Sequence, residues 1–585
     1  MNQKIRVFFI LLLSVVSWCS NQLPPADENN IHMCLMGGGE DCETIFDPVN
    51  QSTYWETIKK VCEMMPMDKC KSYFSGVSKS DQSSLSEESV ENLPEVKPSQ
   101  IIKLASWALY EMEITEVKMK IRGKRVKMLS YNGSIPGPTL QVTKWSQITV
   151  KLTNKAPSLV TTLHSHGLRL DHLFDWVPKS MMGSQDPMNY GDSFSYQLKF
   201  PDAGLFRYHP HIDEQIQQEL GLYGNYLVTP EDNSDREKSS FNSEQVLILD
   251  DIQLSSDGTP QVQKNPENQS LMGRYGDQML INGQENFSFE ASSGDVVRLY
   301  LTNTANVRPF HLAISWARLK IIASDLSLYE RSEFTDSLLI WPAERYIVDV
   351  YFPAAGDFFL TNKLKNSSIK LATIHVSPKS SKNNFLANFQ KLFSQEKLTA
   401  EINSYRKYFD KPVDKTLILD MAMNMNHWAM AEESESWAKK WETIKMPWLV
   451  YDAWSIERED TMKMMNDMSN NKNTSWKLID TETKKENMAI HRSFKKWDLI
   501  KVRVINKWDS AHPMQHPIHF HGQRFLVLSH NGTKNTNLAR KDTVLLWAWD
   551  SVDLLIDMSN PWSRMAHCHI AEHLMNGMML HYTVK

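Results

Sequence analysis

Three stretches decide the fold because they repeat one pattern: "TKWSQITVKLTN" (143–154), "SSGDVVRLYLTN" (292–303) and "KKWDLIKVRVIN" (495–506). Each begins as a turn and continues as a strand with alternating apolar residues that ends in asparagine. Each is followed by a strand that contains histidine, "TTLHSHG", "RPFHLAIS" or "HPIHFHG". A unit that recurs three times in tandem predicts three β-sandwich domains.

Polar stretches at 231–243 and 377–397 separate these units. The domains are therefore expected at 100–232, 243–378 and 397–585. Elsewhere, too, the apolar residues recur at period two in short runs bounded by Gly, Pro and Asn, and few stretches show a helical period. The chain is predicted to be all-β.

The first residues, 1–20, are typical of an export signal. Lys4 and Arg6 precede an apolar run, 7–16, that is too short to span a bilayer as a mature helix. The mature protein is therefore expected outside the cytoplasm, in a periplasm, at the cell surface or in the medium, without a transmembrane span.

A segment with paired cysteines, 21–74, is expected next. Its four cysteines form two equally spaced pairs, Cys34 with Cys42 and Cys62 with Cys70. An exported protein favours two disulfides, and three connectivities remain open. Metal binding by these four is less favoured, because zinc ligands are usually closer in sequence. Residues 75–99, rich in Ser and Glu without an apolar period, predict a flexible linker.

Composition excludes one class of partner. The chain has 585 residues, 41% of them apolar, and a formal net charge of −5. This is enough apolar material for several cores. No basic stripe alternates with aromatic residues, as a nucleic-acid binder would require, so nucleic acid is not expected as a partner.

Histidines fall in four clusters along the chain. In a strand, side chains alternate between faces, so each His-x-His pair directs two imidazoles the same way. Four such pairs supply eight imidazoles to one place, and without a metal many buried nitrogens would lack partners. The clusters are His164 and His166; His209 and His211; His516, His519 and His521; and His567, His569 and His573.

Cys568 stands between His567 and His569 and must therefore face the opposite side of its strand. His516, His573 and Met578 lie close enough in sequence to complete a second site around it, with Met579 as the alternative to Met578. Two imidazoles, a thiolate and a weak thioether are typical of a blue-copper site. Zinc is a poor fit, because eight histidines exceed one tetrahedral shell.

These motifs together resemble the multicopper oxidases, the family of laccases and cuprous oxidases, over about residues 100 to 585. "DAGLFRYHPH" followed by "QQELGLYGN" resembles a bacterial branch. The resemblance implies cupredoxin-like domains and four copper ions. It assigns His516, Cys568, His573 and Met578 to the type 1 copper, His164 and His519 to the type 2 copper, and His166, His209 and His569 with His211, His521 and His567 to the two type 3 coppers.

The resemblance also implies the reaction. A small donor gives single electrons to the type 1 copper, and Cys568 with its bonded neighbours passes them to the other three coppers, where dioxygen becomes water. Asp175 in "LFDWVP" resembles an aspartate that assists proton delivery, whereas the alternative is an ordinary turn aspartate. The acidic residue that many relatives carry after the type 1 histidine is missing, since Leu574 follows His573.

The donor is left open between a phenol-like molecule and Cu(I). Methionines are dense in "DMAMNMNHWAM" (420–430) and "TMKMMNDM" (461–468), and thioethers favour Cu(I). Met421, Met423 and Met425 also alternate as the apolar face of one strand would. A non-catalytic copper buffer of the cell envelope is the alternative function, and a copper nitrite reductase is a third. Neither needs the full set of ten histidines and Cys568.

Tryptophan occupies unusual positions. Trp145 and Trp497 stand where the middle repeat has Gly294. Turn-like contexts also surround Trp176, Trp316, Trp508, Trp547, Trp549 and Trp562. The chain has 22 Gly and 18 Trp, and its glycine share lies well below the usual ~7%. We hypothesise that many of these tryptophans are glycines encoded by UGA, which some bacteria read as glycine. The alternative is a Trp-rich protein with packed indoles.

The same hypothesis affects localisation. With glycine at position 18, "SVVSGCS" would be a lipoprotein signal with Cys19 as the lipidated residue, whereas Trp18 as written does not fit. A lipid anchor at Cys19 is therefore expected only if residue 18 is glycine, and simple export is expected otherwise.

Overall fold

The computed structural model describes residues 85–175, 185–231, 240–264, 267–364, 367–381, 383–423, 463–512 and 514–585. These residues form mainly strands, arranged as three successive pairs of sheets. The predicted all-β class with three tandem sandwiches is confirmed. Outside the described residues lie the export signal, the four paired cysteines, Trp18, Cys19, Trp176, Met425 and Met462.

The first sandwich pairs a five-stranded sheet, in the order β1-β4-β9-β8-β6, with a four-stranded sheet, β3-β2-β5-β7. Its strands are β1 (Ile101–Lys103), β2 (Leu109–Ile121), β3 (Lys124–Tyr131), β4 (Thr139–Thr143), β5 (Gln147–Asn154), β6 (His164–His166), β7 (Ser193–Lys199), β8 (Gly204–His209) and β9 (Gly224–Thr229). Strand β6 lies at the edge of its sheet.

The second sandwich pairs a six-stranded sheet, β11-β10-β13-β18-β15-β16, with a five-stranded one, β12-β20-β19-β14-β17. Its strands are β10 (Ser243–Ile252), β11 (Gln278–Ile281), β12 (Phe287–Ser293), β13 (Val296–Asn303), β14 (Phe310–Ile314), β15 (Leu319–Ser324), β16 (Ser327–Thr335), β17 (Leu338–Ile340), β18 (Arg345–Tyr351), β19 (Gly356–Lys363) and β20 (Ser368–Ser380). Alternating apolar residues of both sheets form one core between them.

The third sandwich pairs a seven-stranded sheet, β22-β21-β24-β30-β26-β27 with β28 beside β26, and a five-stranded sheet, β23-β32-β31-β25-β29. Its strands are β21 (Lys415–Met423), β22 (Thr474–Asp480), β23 (His491–Phe494), β24 (Leu499–Asn506), β25 (His516–Phe520), β26 (Arg524–His530), β27 (Thr533–Lys534), β28 (Arg540–Lys541), β29 (Thr543–Leu546), β30 (Ser551–Asp557), β31 (Trp562–Cys568) and β32 (Met579–Val584). The core between the sheets includes Cys568 and Met578.

Helices are short and connect strands. They are α1 (Glu214–Gln217), α2 (Gln261–Lys264), α3 (Leu386–Gln390), α4 (Glu396–Asn403), α5 (Lys463–Met468) and α6 (Ala571–Met575), with 3₁₀ turns at Val90–Asn92, His172–Phe174, Arg406–Tyr408 and Asn487–Ala489. In the described part of the chain, none of them has the length and apolar character needed to cross a bilayer.

The asparagine that ends each repeated strand has one structural role in all three domains. Asn154 donates its amide to the Leu159 carbonyl oxygen at 2.7 Å, Asn303 to that of Arg308 at 2.8 Å, and Asn506 to that of Met514 at 2.6 Å. Each acceptor lies in the loop that leads to the histidine-containing strand. These buried amides satisfy loop carbonyls that would otherwise lack partners, and they fix where the next strand begins.

From residue 85 onward, the structure shows packed residues where the sequence predicts a flexible linker at 75–99. Leu85 and Leu93 are buried, and Ser86 donates its backbone N–H to the Glu116 carboxylate of β2. Lys97 pairs with Ser134 in an isolated bridge. Two isolated leucines in a Ser- and Glu-rich stretch show no period, so composition alone does not reveal that this strap packs on the first sandwich.

Candidate metal centre

Two strands of the first sandwich carry the first four histidines. β6 and β8 pair antiparallel with His164 opposite His209, and His211 follows directly after β8. Alternation along β6 turns both His164 and His166 to the same side. All four side chains are buried.

Two strands of the third sandwich carry the other four. β25 and β31 pair antiparallel, with His519 opposite His567 and Ile518 opposite Cys568. His521 follows β25, and His569 follows β31. The register therefore places the histidines on one face of this sheet and Cys568 on the other.

The two groups of four meet. Imidazole nitrogens Nε2 of His211 and His521 are 3.2 Å apart, and Nε2 of His521 and His567 are 3.0 Å apart. The ring centroids of His166 and His569 are 5.0 Å apart, and those of His209 and His569 are 5.3 Å apart. Ligand atoms within 4.8 Å of one another define the overlapping sets His164, His519 and His521; His164, His166 and His209; and His211, His521 and His567.

The chemistry of this donor set fits metal ions. Nε2 of His164, His209, His519 and His569 is buried without a hydrogen-bond partner, as is Nδ1 of His166. Burial lowers the pKa of His164, His166, His209, His521, His567 and His569, and lowers that of His211 to about 3. Neutral imidazoles with unpaired nitrogens are what a transition metal requires.

Outer contacts orient these rings. Nδ1 of His209 donates to the Pro210 carbonyl oxygen at 2.7 Å, and Nδ1 of His567 to that of Cys568 at 2.8 Å. Nδ1 of His211 lies 3.1 Å from the Glu214 carboxylate. Nδ1 is thus hydrogen-bonded on the outside in His209 and His567 and lies beside a carboxylate in His211, and Nε2 of each ring faces the centre, which is how proteins commonly fix metal-binding histidines.

A second buried site lies on the other face of β31. Nδ1 of His516 and Nδ1 of His573 are each 3.6 Å from the Cys568 Sγ, and 3.2 Å from one another. Burial lowers the pKa of His516 to about 3 and lowers that of His573, whereas burial raises the pKa of the Cys568 thiol. A bound cation is what would favour the thiolate in such a place.

Met578 and Met579 lie on different faces of their segment. Met578 is fully buried in the same core as Cys568, and its carbonyl oxygen accepts from the Cys568 N–H at 3.0 Å. Met579 instead packs with Met565 and Leu574. The geometry therefore favours Met578 as the thioether nearest the thiol.

Trp476 covers this second site. Its fully buried indole stacks on His573 with ring centroids 3.9 Å apart, and its Nε1 donates to the Ser270 carbonyl oxygen at 2.8 Å. The sequence did not single out Trp476, because nothing in its local pattern separates it from other strand residues.

Asp175 contacts one histidine from the first sandwich and one from the third. Its Oδ1 is 3.0 Å from Nδ1 of His164 and 3.6 Å from Nδ1 of His521, and Arg564 donates to its Oδ2. Burial alone would raise the pKa of Asp175, but the two histidines and Arg564 outweigh it and hold that pKa well below its usual value. The carboxylate stays ionised and contributes a fixed negative charge beside the imidazoles.

Sequence reasoning missed two further carboxylates at the site, Glu214 and Asp542. Glu214 follows His211 by three residues and looks like any acidic residue at a helix start. Asp542 contacts His166 across 376 residues, so no local pattern could connect them. Among the described residues, Cys568 is a free and buried cysteine, as its predicted role requires.

Comparisons with known proteins point to one family. Three family models, each described as multicopper oxidase, match residues 113–233, 244–379 and 456–585. The multicopper oxidase MmcO of Mycobacterium tuberculosis is 24% identical over 489 residues, covering 79% of this chain and 84% of that protein. An L-ascorbate oxidase of Nicotiana tabacum is 22% identical over 548 residues, covering 83% and 92%.

Solved structures show the same fold. A multicopper oxidase from Campylobacter jejuni, titled a metallo-oxidase, superposes with a TM-score of 0.60 at 23% identity and covers 87% of this chain and 100% of its own. McoA of Aquifex aeolicus gives a TM-score of 0.61 at 19% identity, covering 84% and 100%.

Proposed function

Since this chain belongs to the multicopper oxidase family, we propose which of its buried histidines bind each copper ion in the oxidation of a small donor by dioxygen. The protein is a copper-dependent oxidoreductase that uses dioxygen as acceptor. The observation that carries the proposal is that Cys568 lies between His567 and His569 with the thiol and the imidazoles on opposite faces of β31. Nothing in the comparisons supports the copper-buffer alternative.

The proposed ligand sets follow the two faces. His516, Cys568, His573 and Met578 would hold one copper, which is the type 1 site. His164 and His519 would hold the type 2 copper, and the type 3 pair would be held by His166, His209 and His569 and by His211, His521 and His567. When bound, the four coppers supply the one-electron and four-electron chemistry that joins a donor to dioxygen. Cys568 and its two bonded neighbours join the sites covalently.

Asp175 is proposed to keep a negative charge beside His164, which favours the arrival of protons at the cluster. Asp175→Asn removes that charge and leaves the buried Arg564 without its ion-pair partner. We expect oxygen uptake to fall about 10- to 100-fold, as is typical when an outer partner of a metal ligand is lost. Steady-state kcat across pH and copper per chain are the measurements.

Asp171→Asn is the matched control for this change. Asp171 precedes the same 3₁₀ turn, its side chain is 53% exposed, and it caps the Leu173 N–H, which asparagine also does. If both variants keep the same kcat and pH profile, Asp175 is an ordinary turn residue.

Cu(I) is the donor we propose, because an exposed thioether lies on a helix that is bonded to the core around Cys568. Helix α5 is tied to the 268–273 loop, where Leu271 N–H donates to Ser469 Oγ at 2.8 Å. Leu271 and Trp476 belong to the core that contains Cys568. On α5, Met468 is 49% exposed, whereas Met465 packs against that core. Met421 and Met423 also contact the core, so they fit the packing role.

Oxygen uptake by the copper-loaded protein, with Cu(I) added anaerobically beforehand or with a simple phenol, tests this choice. We expect Cu(I) to turn over faster, and Met468→Leu to reduce only the Cu(I) rate, by several fold. Met465→Leu is the control, because a volume-conserving core change should affect neither donor. Turnover with the phenol alone would identify a laccase-like enzyme instead.

Export is proposed from the apolar run after Lys4 and Arg6, with the domain limits 100–232, 243–378 and 397–585 for the mature body. Anchoring by a lipid at Cys19 is proposed only for a chain with glycine at position 18. Fractionation of the source cells with detergent partitioning distinguishes an anchored protein from a released one.

A further inference from the structure

Asp542 lies where the three sandwiches meet. Its side chain is fully buried between β28 and β29 of the third sandwich. Arg345, the first residue of β18 in the second sandwich, donates from Nη1 to its Oδ1 at 2.8 Å and from Nη2 to its Oδ2. The same guanidinium donates from Nε to the Leu205 carbonyl oxygen of the first sandwich at 2.9 Å. One buried ion pair thus joins all three domains.

Asp542 also reaches a histidine of each half of the metal centre. Nε2 of His166 lies 3.1 Å from its Oδ1, and Nδ1 of His519 donates to its backbone oxygen at 2.9 Å. The nitrogens left without partners are Nδ1 of His166 and Nε2 of His519. His166 therefore differs from His209, His211 and His567, whose outer contacts are made through Nδ1.

A direct ligand role for Asp542 is the alternative, because its carboxylate lies within 4.8 Å of nitrogens of His166 and His519. Once Nε2 of His166 is included, four donors surround the two oxygens of this carboxylate and fill its acceptor positions. Arg345 engages both oxygens, and Thr543 Oγ1 donates to Oδ1 at 2.8 Å. A Cβ on Gly167 would lie 2.4 Å from Oδ2, so no space remains on that side either. The carboxylate is better placed to hold an imidazole than a metal ion.

We propose that Asp542 is a positioning residue that selects the nitrogen His166 presents to the metal centre, and that Arg345 holds it in place so that the two halves of the cluster stay in register. The carboxylate accepts the Nε2 proton and thereby leaves Nδ1 of His166 as the ligand atom. This inference rests on the proposed role of His166 and His519 as copper ligands.

Asp542→Asn tests the inference, because an amide that faces His166 with its NH₂ would favour the opposite tautomer. We expect the variant to lose copper from the cluster with a 10- to 100-fold weaker affinity while the thiolate-copper absorbance of the other site remains. The readouts are copper per chain, the electron paramagnetic resonance spectrum and the visible spectrum, none of which needs turnover.

Asp325→Asn is the matched control. Asp325 is equally buried and lies 3.5 Å from Arg345 and 3.1 Å from Lys541, but no contact with a histidine is among those described for it. Equal copper loss in both variants would show that Asp542 acts only as a structural ion-pair partner. Should Asp542→Asn fail to fold, Thr543→Val, which removes a hydroxyl 3.1 Å from His166 Nε2, should give a partial loss of cluster copper. A wild-type protein without cluster copper would instead overturn the proposed function.

A separate observation concerns tryptophan. Of the ten tryptophans within the described residues, six have a left-handed backbone: Trp107 (φ 71°), Trp145 (68°), Trp316 (61°), Trp497 (74°), Trp549 (71°) and Trp562 (82°). Such φ values are rare for any residue with a Cβ and are worst for bulky ones. Their side chains are 47% to 91% exposed, so burial does not repay the strain.

Hydrogen bonds define the turns in which five of these six lie. The N–H of Ser146 donates to the Thr143 carbonyl oxygen at 3.0 Å, which places Trp145 third in a four-residue turn. Equivalent bonds place Trp107, Trp316, Trp497 and Trp549 third in theirs. A positive φ at that position defines a type II turn, in which glycine is strongly preferred. Gly294 occupies this position in the middle repeat with φ 89°.

Other tryptophans behave as this residue type should. Trp341 and Trp476 are buried, neither has a positive φ, and each packs on another ring. Trp508 is 77% exposed but has no positive φ, and Trp547 has no positive φ and packs on Trp341. Backbone conformation, not exposure, therefore separates the six left-handed tryptophans from the other four described ones.

We further infer that the residue at positions 107, 145, 316, 497, 549 and 562 is glycine in the protein as its cell makes it, with UGA as the codon. Peptide masses of the protein purified from its source organism, together with the codons of its gene, test this. We expect glycine and UGA at these six positions and UGG at 341 and 476. Tryptophan in the peptides that contain 145 and 497, or UGG codons there, would overturn the inference.

Discussion

Replacing Cys568 by serine is expected to abolish donor-driven oxygen uptake, by more than the roughly 100-fold that loss of an outer-sphere partner causes. The thiol is the one group on its face of β31 that can bind a soft metal, and His516 and His573 alone offer no thiolate. Because serine is similar in shape, the surrounding core should stay intact. Copper per chain should fall by one, and the intense visible absorbance should vanish.

Met565→Leu is the matched control for the cysteine variant. Met565 is buried on the same strand but packs with Leu574 and Met579 rather than with Cys568. A volume-conserving change there should cost less than ~1.5 kcal/mol and leave oxygen uptake unchanged. If the serine variant retained a tenth of the wild-type rate, electrons would have to enter the cluster by another path.

Gly167→Ala is expected to lower the free energy of unfolding by about 2–5 kcal/mol. This range adds the cost of a left-handed backbone at alanine to the cost of overpacking. Gly167 has φ +85°, and a Cβ there would lie 2.4 Å from Asp542 Oδ2 and 2.9 Å from Arg345 Nη2. The methyl group would push apart the ion pair that joins the three domains. Thermal unfolding and copper content should both change.

Gly191→Ala isolates the backbone contribution. Gly191 has φ +86°, but nothing lies within 4 Å of its Cβ position. We expect this variant to lose about 1–2 kcal/mol and no copper. Equal destabilisation by the two alanines would show that the space beside Asp542 is not limiting.

The sequence predicted what local pattern can encode. The repeated strands and their terminal asparagines predicted three sandwiches. The His-x-His pairs predicted which side chains share a face of β6 and of β31, because side chains alternate between the faces of a strand. Trp145 and Trp497 were noticed since the repeat offered Gly294 for comparison. Asp542 and Trp476 were not predicted because their roles depend on contacts between residues far apart in the chain. Glu214 was not predicted because an acidic residue at a helix start is common whether or not a histidine precedes it. The packing of Leu85 and Leu93 was not predicted either, because it too depends on residues distant in the sequence.

The histidines of the first sandwich are synthesised well before those of the third. His211 and His521, whose Nε2 atoms are 3.2 Å apart in the folded protein, are 310 residues apart in the chain. At ~5–20 residues per second of synthesis, the first four imidazoles wait roughly 15–60 s before their counterparts exist. Correct copper loading must therefore follow completion of the chain. Until then the first sandwich can offer a metal ion only half of the eight imidazoles.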